Sequence, residues 1–113
     1  MDRDQVRHLI DELEAEVNNG GFDQFFFNKA GDDAAATIEA LALVGASRTA
    51  DIVRRACAKF PRGMPPADRF ARQHLLEEVS PDSDAFEQED EDFLAYEEDL
   101  AGLVAGYAHR TVG

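Results

Sequence analysis

The sequence has one cysteine, Cys57, and no tryptophan. A single thiol cannot build an internal disulfide framework. It ends the stretch Ile52-Val53-Arg54-Arg55-Ala56-Cys57, which reads as helix and predicts a buried structural thiol rather than a reactive one. β-Branched residues are few and apolar–polar alternation is nowhere sustained, so strands are not expected. No apolar run approaches the roughly 18 residues of a membrane span. The opening Met1-Asp2-Arg3-Asp4-Gln5 is polar and lacks the apolar core of a secretory signal. These absences predict a cytoplasmic protein that does not engage a membrane. A further absence concerns charge: residues 73–109 contain no Lys or Arg, against twelve Asp and Glu.

The whole chain carries a net charge of −13. Residues 1–39 hold ten acids and three bases, whereas residues 40–72 hold two acids and seven bases. Such a balance excludes direct nucleic-acid binding by phosphate neutralisation and predicts repulsion from anionic membranes. The partner it suits is cationic, either a basic protein face or a metal ion. A length of 113 residues and a hydrophobic fraction of 44% fit a single domain, 1–113, with its own core.

Helical periodicity dominates the chain. Val6, Leu9, Ile10, Leu13 and Val17 form one apolar stripe, capped by Asp2 or Asp4 and stopped at Asn18-Asn19-Gly20-Gly21. Phe22, Phe25 and Phe26 share the face of a short second helix reaching about Asn28. Ala34, Ile38, Leu41 and Val44 line a third helix, closed by Gly45. Ser47 reads as the N-cap of a fourth, with Ile52, Val53, Ala56 and Phe60 on its apolar side. A fifth carries Phe70, His74, Leu75 and Val79 and stops before Pro81. The turn Ser80-Pro81-Asp82-Ser83-Asp84 offers two capping acids. A break near Ala95-Tyr96 divides the remainder, with Leu100, Leu103, Val104 and Tyr107 at helical spacing. The expected fold is all-α, a compact bundle of about six to seven short helices.

Asn19-Gly20-Gly21-Phe22-Asp23-Gln24-Phe25-Phe26-Phe27-Asn28 packs four aromatics and three amides into ten residues. Gln24 and Asn28 share a helix face. Such amides either satisfy backbone groups at a helix end or line a small polar pocket. With Leu41-Ala42-Leu43-Val44-Gly45-Ala46 and Ala56-Cys57-Ala58-Lys59-Phe60-Pro61, this N-G-G-F-x-Q-F-F-x-N pattern resembles a bacterial family of unknown function typified by a small acidic DNA-mimic protein. The closing Glu98-Asp99-Leu100…Leu103-Val104…Tyr107 run is similar too. The resemblance implies an all-α fold. For its typifying member it also implies a homodimer that presents acids like DNA phosphates to a DNA-binding regulator.

Residues 77–99 hold Glu77, Glu78, Asp82, Asp84, Glu87, Glu89, Asp90, Glu91, Asp92, Glu97, Glu98 and Asp99. As one helix they would span on the order of 35 Å, or roughly one charge per 3 Å. Duplex DNA carries about one per 1.7 Å. Phosphate imitation is therefore physically open. So is internal neutralisation by Arg54, Arg55, Arg62, Arg69 and Arg72 of the basic middle, and so is a merely solvated acidic face.

No catalytic pattern emerges. Asp82-Ser83-Asp84 begins like a calcium loop, but Phe86, Glu87 and Phe93 occupy positions that need ligands or glycine. His8, His74 and His109 have no metal-ligand spacing, and no nucleophile motif is present. No cofactor is expected. The leading expectation is a non-enzymatic module that binds a basic protein through Asp82, Asp84, Glu87, Glu89, Asp90, Glu91, Asp92, Glu97, Glu98 and Asp99. The basic partner is a DNA-binding regulator or, alternatively, a toxin that the chain neutralises in the manner of an immunity protein. The third reading is a small-molecule or metal-binding protein built on Asn19, Gly20, Gly21, Phe22, Gln24, Phe25, Phe26 and Asn28. Homodimerisation is expected both from the resemblance and from a phenylalanine content that one small core would not absorb.

Overall fold

The stripe Val6, Leu9, Ile10, Leu13 and Val17 is buried along the first helix of the computed structural model, which describes residues 1–112 and side chains through Arg110. That helix, α1 (Arg3–Phe27), is the central strut; α2 (Ala34–Leu43), α4 (Arg69–Val79), α5 (Glu87–Leu94) and α6 (Leu100–Val112) all pack on it. α3 (Ser47–Cys57) packs on α2 and α5. Short 3-10 turns cover Lys29–Asp33 and Pro61–Gly63, and no strand occurs among the described residues. Among the described residues no helix is long and apolar enough to cross a membrane.

Of the two candidate N-caps, Asp2 serves α1: its carboxylate accepts from the Gln5 N–H at 2.8 Å. The expected stop at Gly20-Gly21 is a kink. Gly20 (φ −152°) and Gly21 (φ +73°) leave helical geometry, and the helix resumes at Phe22. Gly45 (φ +88°) ends α2 as expected, and the chain breaks after Leu94 with Tyr96 at φ +46°.

Phe22, Phe25, Phe26, Phe60, Phe86 and Phe93 are all at most 3% exposed and form one aromatic cluster. Phe26 stands 4.9 Å from Phe60 and 5.2 Å from Phe86, centroid to centroid. Each such side chain contributes about 1.5–3 kcal/mol through burial. One core thus takes up six of the eight phenylalanines. Only Phe27 and Phe70 remain outside it, at 52% and 80% exposure.

Three local expectations are corrected. Phe70 is not on the apolar side of α4; the buried positions of that helix are Arg72 and Leu76. The N-cap of α3 is Ala46 rather than Ser47, and it has no side chain to offer the free N–H groups. In the turn before α5 the Ala85 N–H is taken by the Ser80 hydroxyl at 3.2 Å, so Asp82 and Asp84 are not its caps.

Arg72 is fully buried, and all five of its N–H donors are used. Nε donates to the Phe26 carbonyl (2.6 Å), Nη1 to those of Pro66 (3.1 Å) and Ala67 (3.0 Å), and Nη2 to Asn28 O (2.9 Å) and Asp32 Oδ1 (2.8 Å). The charge is matched by one carboxylate and the fork by four carbonyls, which makes its burial tolerable. Gly31 admits this arrangement. A Cβ there would lie 2.7 Å from Arg72 Nε and 2.7 Å from the Phe25 carbonyl.

Candidate functional site

The signature amides converge on a residue with no obvious role in the sequence, Glu16. Gln24 Nε2 and Asn28 Nδ2 both donate to Glu16 Oε2, at 2.8 and 2.9 Å. Asn19 Nδ2 donates to Gln24 Oε1 at 2.9 Å. The network staples the two arms of kinked α1 across Gly20-Gly21. Phe22, Phe25 and Phe26 point into the core. Among the described residues no group of three His, Cys, Asp or Glu comes together as a metal site.

The acids of the C-terminal block divide into two sets. Six have work inside the molecule. Glu89 is buried against Lys59 at 2.6 Å, and the same ammonium also meets the Ala85 carbonyl and lies over the Phe86 ring. Asp90 Oδ1 accepts from the Phe22 N–H at 2.8 Å, the first free donor after the kink. Asp92 pairs with Arg55 at 2.9 Å and accepts from Gln88 at 2.9 Å. Glu97 meets Arg48 at 2.8 Å, an exposed pair worth about 0–1 kcal/mol. Glu98 caps α3, accepting from Thr49 N and Oγ1 at 2.7 Å each and from Arg48 N at 3.2 Å. Asp99 caps α6 through the Gly102 N–H at 3.0 Å.

Glu77 and Glu78 lie on α4, with Glu78 3.9 Å from His74. The remaining four, Asp82, Asp84, Glu87 and Glu91, are exposed, and no hydrogen bond or ion pair holds them among the described residues. Glu87 and Glu91 are one helical turn apart on α5. The block is also not one helix, so its acids do not form the single row that their spacing in sequence suggests. Of the basic middle, Arg48, Arg55 and Lys59 neutralise this block. Arg69 donates instead to Phe27 O and Asn28 Oδ1, and Arg72 goes to the core.

The electrostatics follow the same division. The Arg55 and Gln88 hydrogen bonds hold the Asp92 carboxyl below its ordinary range, against a smaller effect of burial. Burial acts to raise Glu98, but its bonds from Thr49 and Arg48 together outweigh it and hold that carboxyl low. Asp90 is pushed up by burial and by the charges of Asp23, Glu89 and Glu87, with the Phe22 bond opposing. Asp23 is pushed up by burial and by Asp84, with the Ser80 hydroxyl opposing. Asp90 is thus repelled by Asp23, Glu89 and Glu87, and Asp23 in turn by Asp84.

Fold and surface together define a small helical domain with a buried aromatic core, a stapled helix kink and a partly free acidic face. The chain belongs to the DMP19-like protein family, whose model matches residues 2–111. No curated protein and no solved structure gives a significant match.

Proposed function

We propose that the protein is an acidic binding module that engages the basic face of another protein. The observation that carries the reading is the unpartnered set Asp82, Asp84, Glu87 and Glu91, exposed on a stretch of the chain, residues 73–109, that contains twelve acids and no Lys or Arg of its own. Exposed carboxylates that repel one another and lack internal partners are relieved by an external cation. In its finer form the proposal is DNA mimicry toward a DNA-binding regulator. That form rests on the resemblance to the DNA-mimic type, and the homodimer it implies would set two such faces side by side.

The test is affinity capture from the native host at low and high salt. A basic protein is expected to be retained at low salt and released as screening increases. The variant Asp82→Asn, Asp84→Asn, Glu87→Gln, Glu91→Gln is expected to lose it while keeping its fold, because none of the four holds another group. Undiminished capture by that variant ends the proposal. Asp90 and Asp92 are unsuitable for this test, since neutralising them disturbs Phe22 and Arg55.

A further inference from the structure

Phe27, one of the two phenylalanines that the core leaves out, lines a surface groove. It has a volume of about 690 Å³ and runs between the end of α1 and α4, closed at one end by the turn after α4. Phe27, Leu76 and Pro81 supply its apolar lining, and Asp23 and Glu77 its charge. Gln73 and Glu77 line it from α4. Phe70 precedes them by three and seven residues, so it flanks the same side of that helix. The two walls are tied together: Arg69 Nε and Gln73 Nε2 both donate to the Phe27 carbonyl, at 3.1 and 2.8 Å. No Lys or Arg lines the groove; Arg72, next to Gln73 in sequence, is buried in the core, and Arg69 is already spent on Phe27 and Asn28.

We propose that this groove docks one amphipathic helical segment of the basic partner. An apolar anchor of that segment sits against Phe27 and Leu76 beside Phe70, and Lys or Arg one helical turn away meets Asp23 and Glu77. The inference rests on the reading of the protein as a binder of basic proteins and adds where the specific contact lies. Three observations select this occupant. The groove is large enough for several side chains. Phe27 in the groove and the flanking Phe70 are exposed aromatics of the kind that dominates interface energies, and a helix laid in a groove presents anchors at such spacing. Its rim is acidic on both walls, with Asp84 adding its field to that of Asp23. A second copy of this chain is a poor occupant, because it would bring a surface of net charge −13 against that rim.

The absence of tryptophan makes a clean test available. The probe is a helical peptide of about 15 residues built from Lys and Leu with a single Trp among the apolar positions i, i+3, i+4 and i+7. Its fluorescence reports burial of the anchor with no background from the protein. The controls are a Trp-tagged oligolysine of equal charge and the amphipathic peptide with Glu in place of Lys. Salt-dependent binding of the amphipathic peptide is expected, with a blue shift of the Trp emission. Oligolysine is expected to bind more weakly and without a shift, and the Glu peptide not at all. Phe70→Ser with Glu77→Gln alters two exposed side chains, so the fold survives, and is expected to weaken binding about tenfold or more.

Equal affinity of oligolysine, or undiminished binding by the Phe70→Ser, Glu77→Gln variant, overturns the groove while leaving the acidic-module reading intact. Binding of the Glu peptide as tightly as the Lys peptide also overturns it, by showing a merely greasy surface. Failure of both cationic peptides to bind at low salt counts against the groove and the acidic module together.

Discussion

Asp90 accepts a hydrogen bond from the Phe22 N–H at 2.8 Å, and so joins the acidic block to the glycine signature 68 residues away. Gly21 makes the approach feasible, since a Cβ there would lie 2.5 Å from Asp90 Oδ2 and its φ of +73° disfavours any side chain. Gly21→Ala is expected to cost about 2–3 kcal/mol, combining that clash with backbone strain. Asp90→Ala alone is expected to cost about 1 kcal/mol, as the loss of a cap. In the Asp90→Ala background the glycine substitution should lose only its backbone part, about 1–2 kcal/mol. Urea denaturation in a double-mutant cycle measures the coupling, and strict additivity would show that Asp90 does not press on Gly21.

Arg72 is the polar centre of the fold. Arg72→Met leaves Asp32 and four carbonyls without their donor and is expected to cost about 3–5 kcal/mol. That is much of the stability of a domain this size, which is about 5–15 kcal/mol. Arg72→Lys restores the charge but not the five-donor fork, so it should recover only part of the loss. Chemical denaturation followed by circular dichroism distinguishes the three proteins. A Met variant as stable as the parent would remove Arg72 from this role.

These residues show where a linear reading stops. The stripe from Val6 to Val17, the Phe22-Phe25-Phe26 face and the Leu100–Tyr107 helix were legible because each is set by residues within two turns of one another; at Gly20-Gly21 the interruption was legible, but not that the helix resumes as a kink. The fates of Arg72 and Phe70 were not. Helical period assigns residues to faces, but tertiary neighbours decide which face is covered. The acid block is ambiguous in sequence for the same reason. Its density along the chain carries no sign of Arg55, 37 residues from Asp92, or of Thr49, 49 residues from Glu98. Glu98 caps a helix that has only Ala46 at its own N-cap, so the acid and the missing cap are explained together. The groove was invisible for a related reason: its walls come from α1, α4 and the turn after α4.

Cys57 is fully buried, and burial pushes its thiol up to about 12. Little thiolate forms in the native state, so disulfide reagents should react only through unfolding. The modification rate is expected to follow the unfolding equilibrium, rising with urea as the domain opens. Rapid labelling of the native protein in the absence of denaturant would contradict the buried, structural placement.

Asp23 and Glu98 should give opposite pH signatures. The Glu98 carboxyl is held below its ordinary 4.5, so its stabilising effect is present above that value and is lost as pH falls through the lower, folded-state value. Glu98→Gln is therefore expected to cost about 1 kcal/mol near neutral pH, with the difference closing in acid. Asp23 is held above its ordinary 3.8, so its ionisation opposes folding above the raised value and ceases to do so below 3.8. Asp23→Asn is expected to stabilise the protein at neutral pH, and this gain too should vanish in acid. Urea midpoints at about pH 7 and about pH 3 measure both. A destabilised Asp23→Asn protein would mean that its bond with Ser80, not repulsion from Asp84, governs the site. If the stabilised variant also binds the amphipathic peptide less tightly, then the same carboxylate that opposes folding is the one that recruits the partner's cation. The free acids are then a strained surface kept for binding rather than for solubility alone.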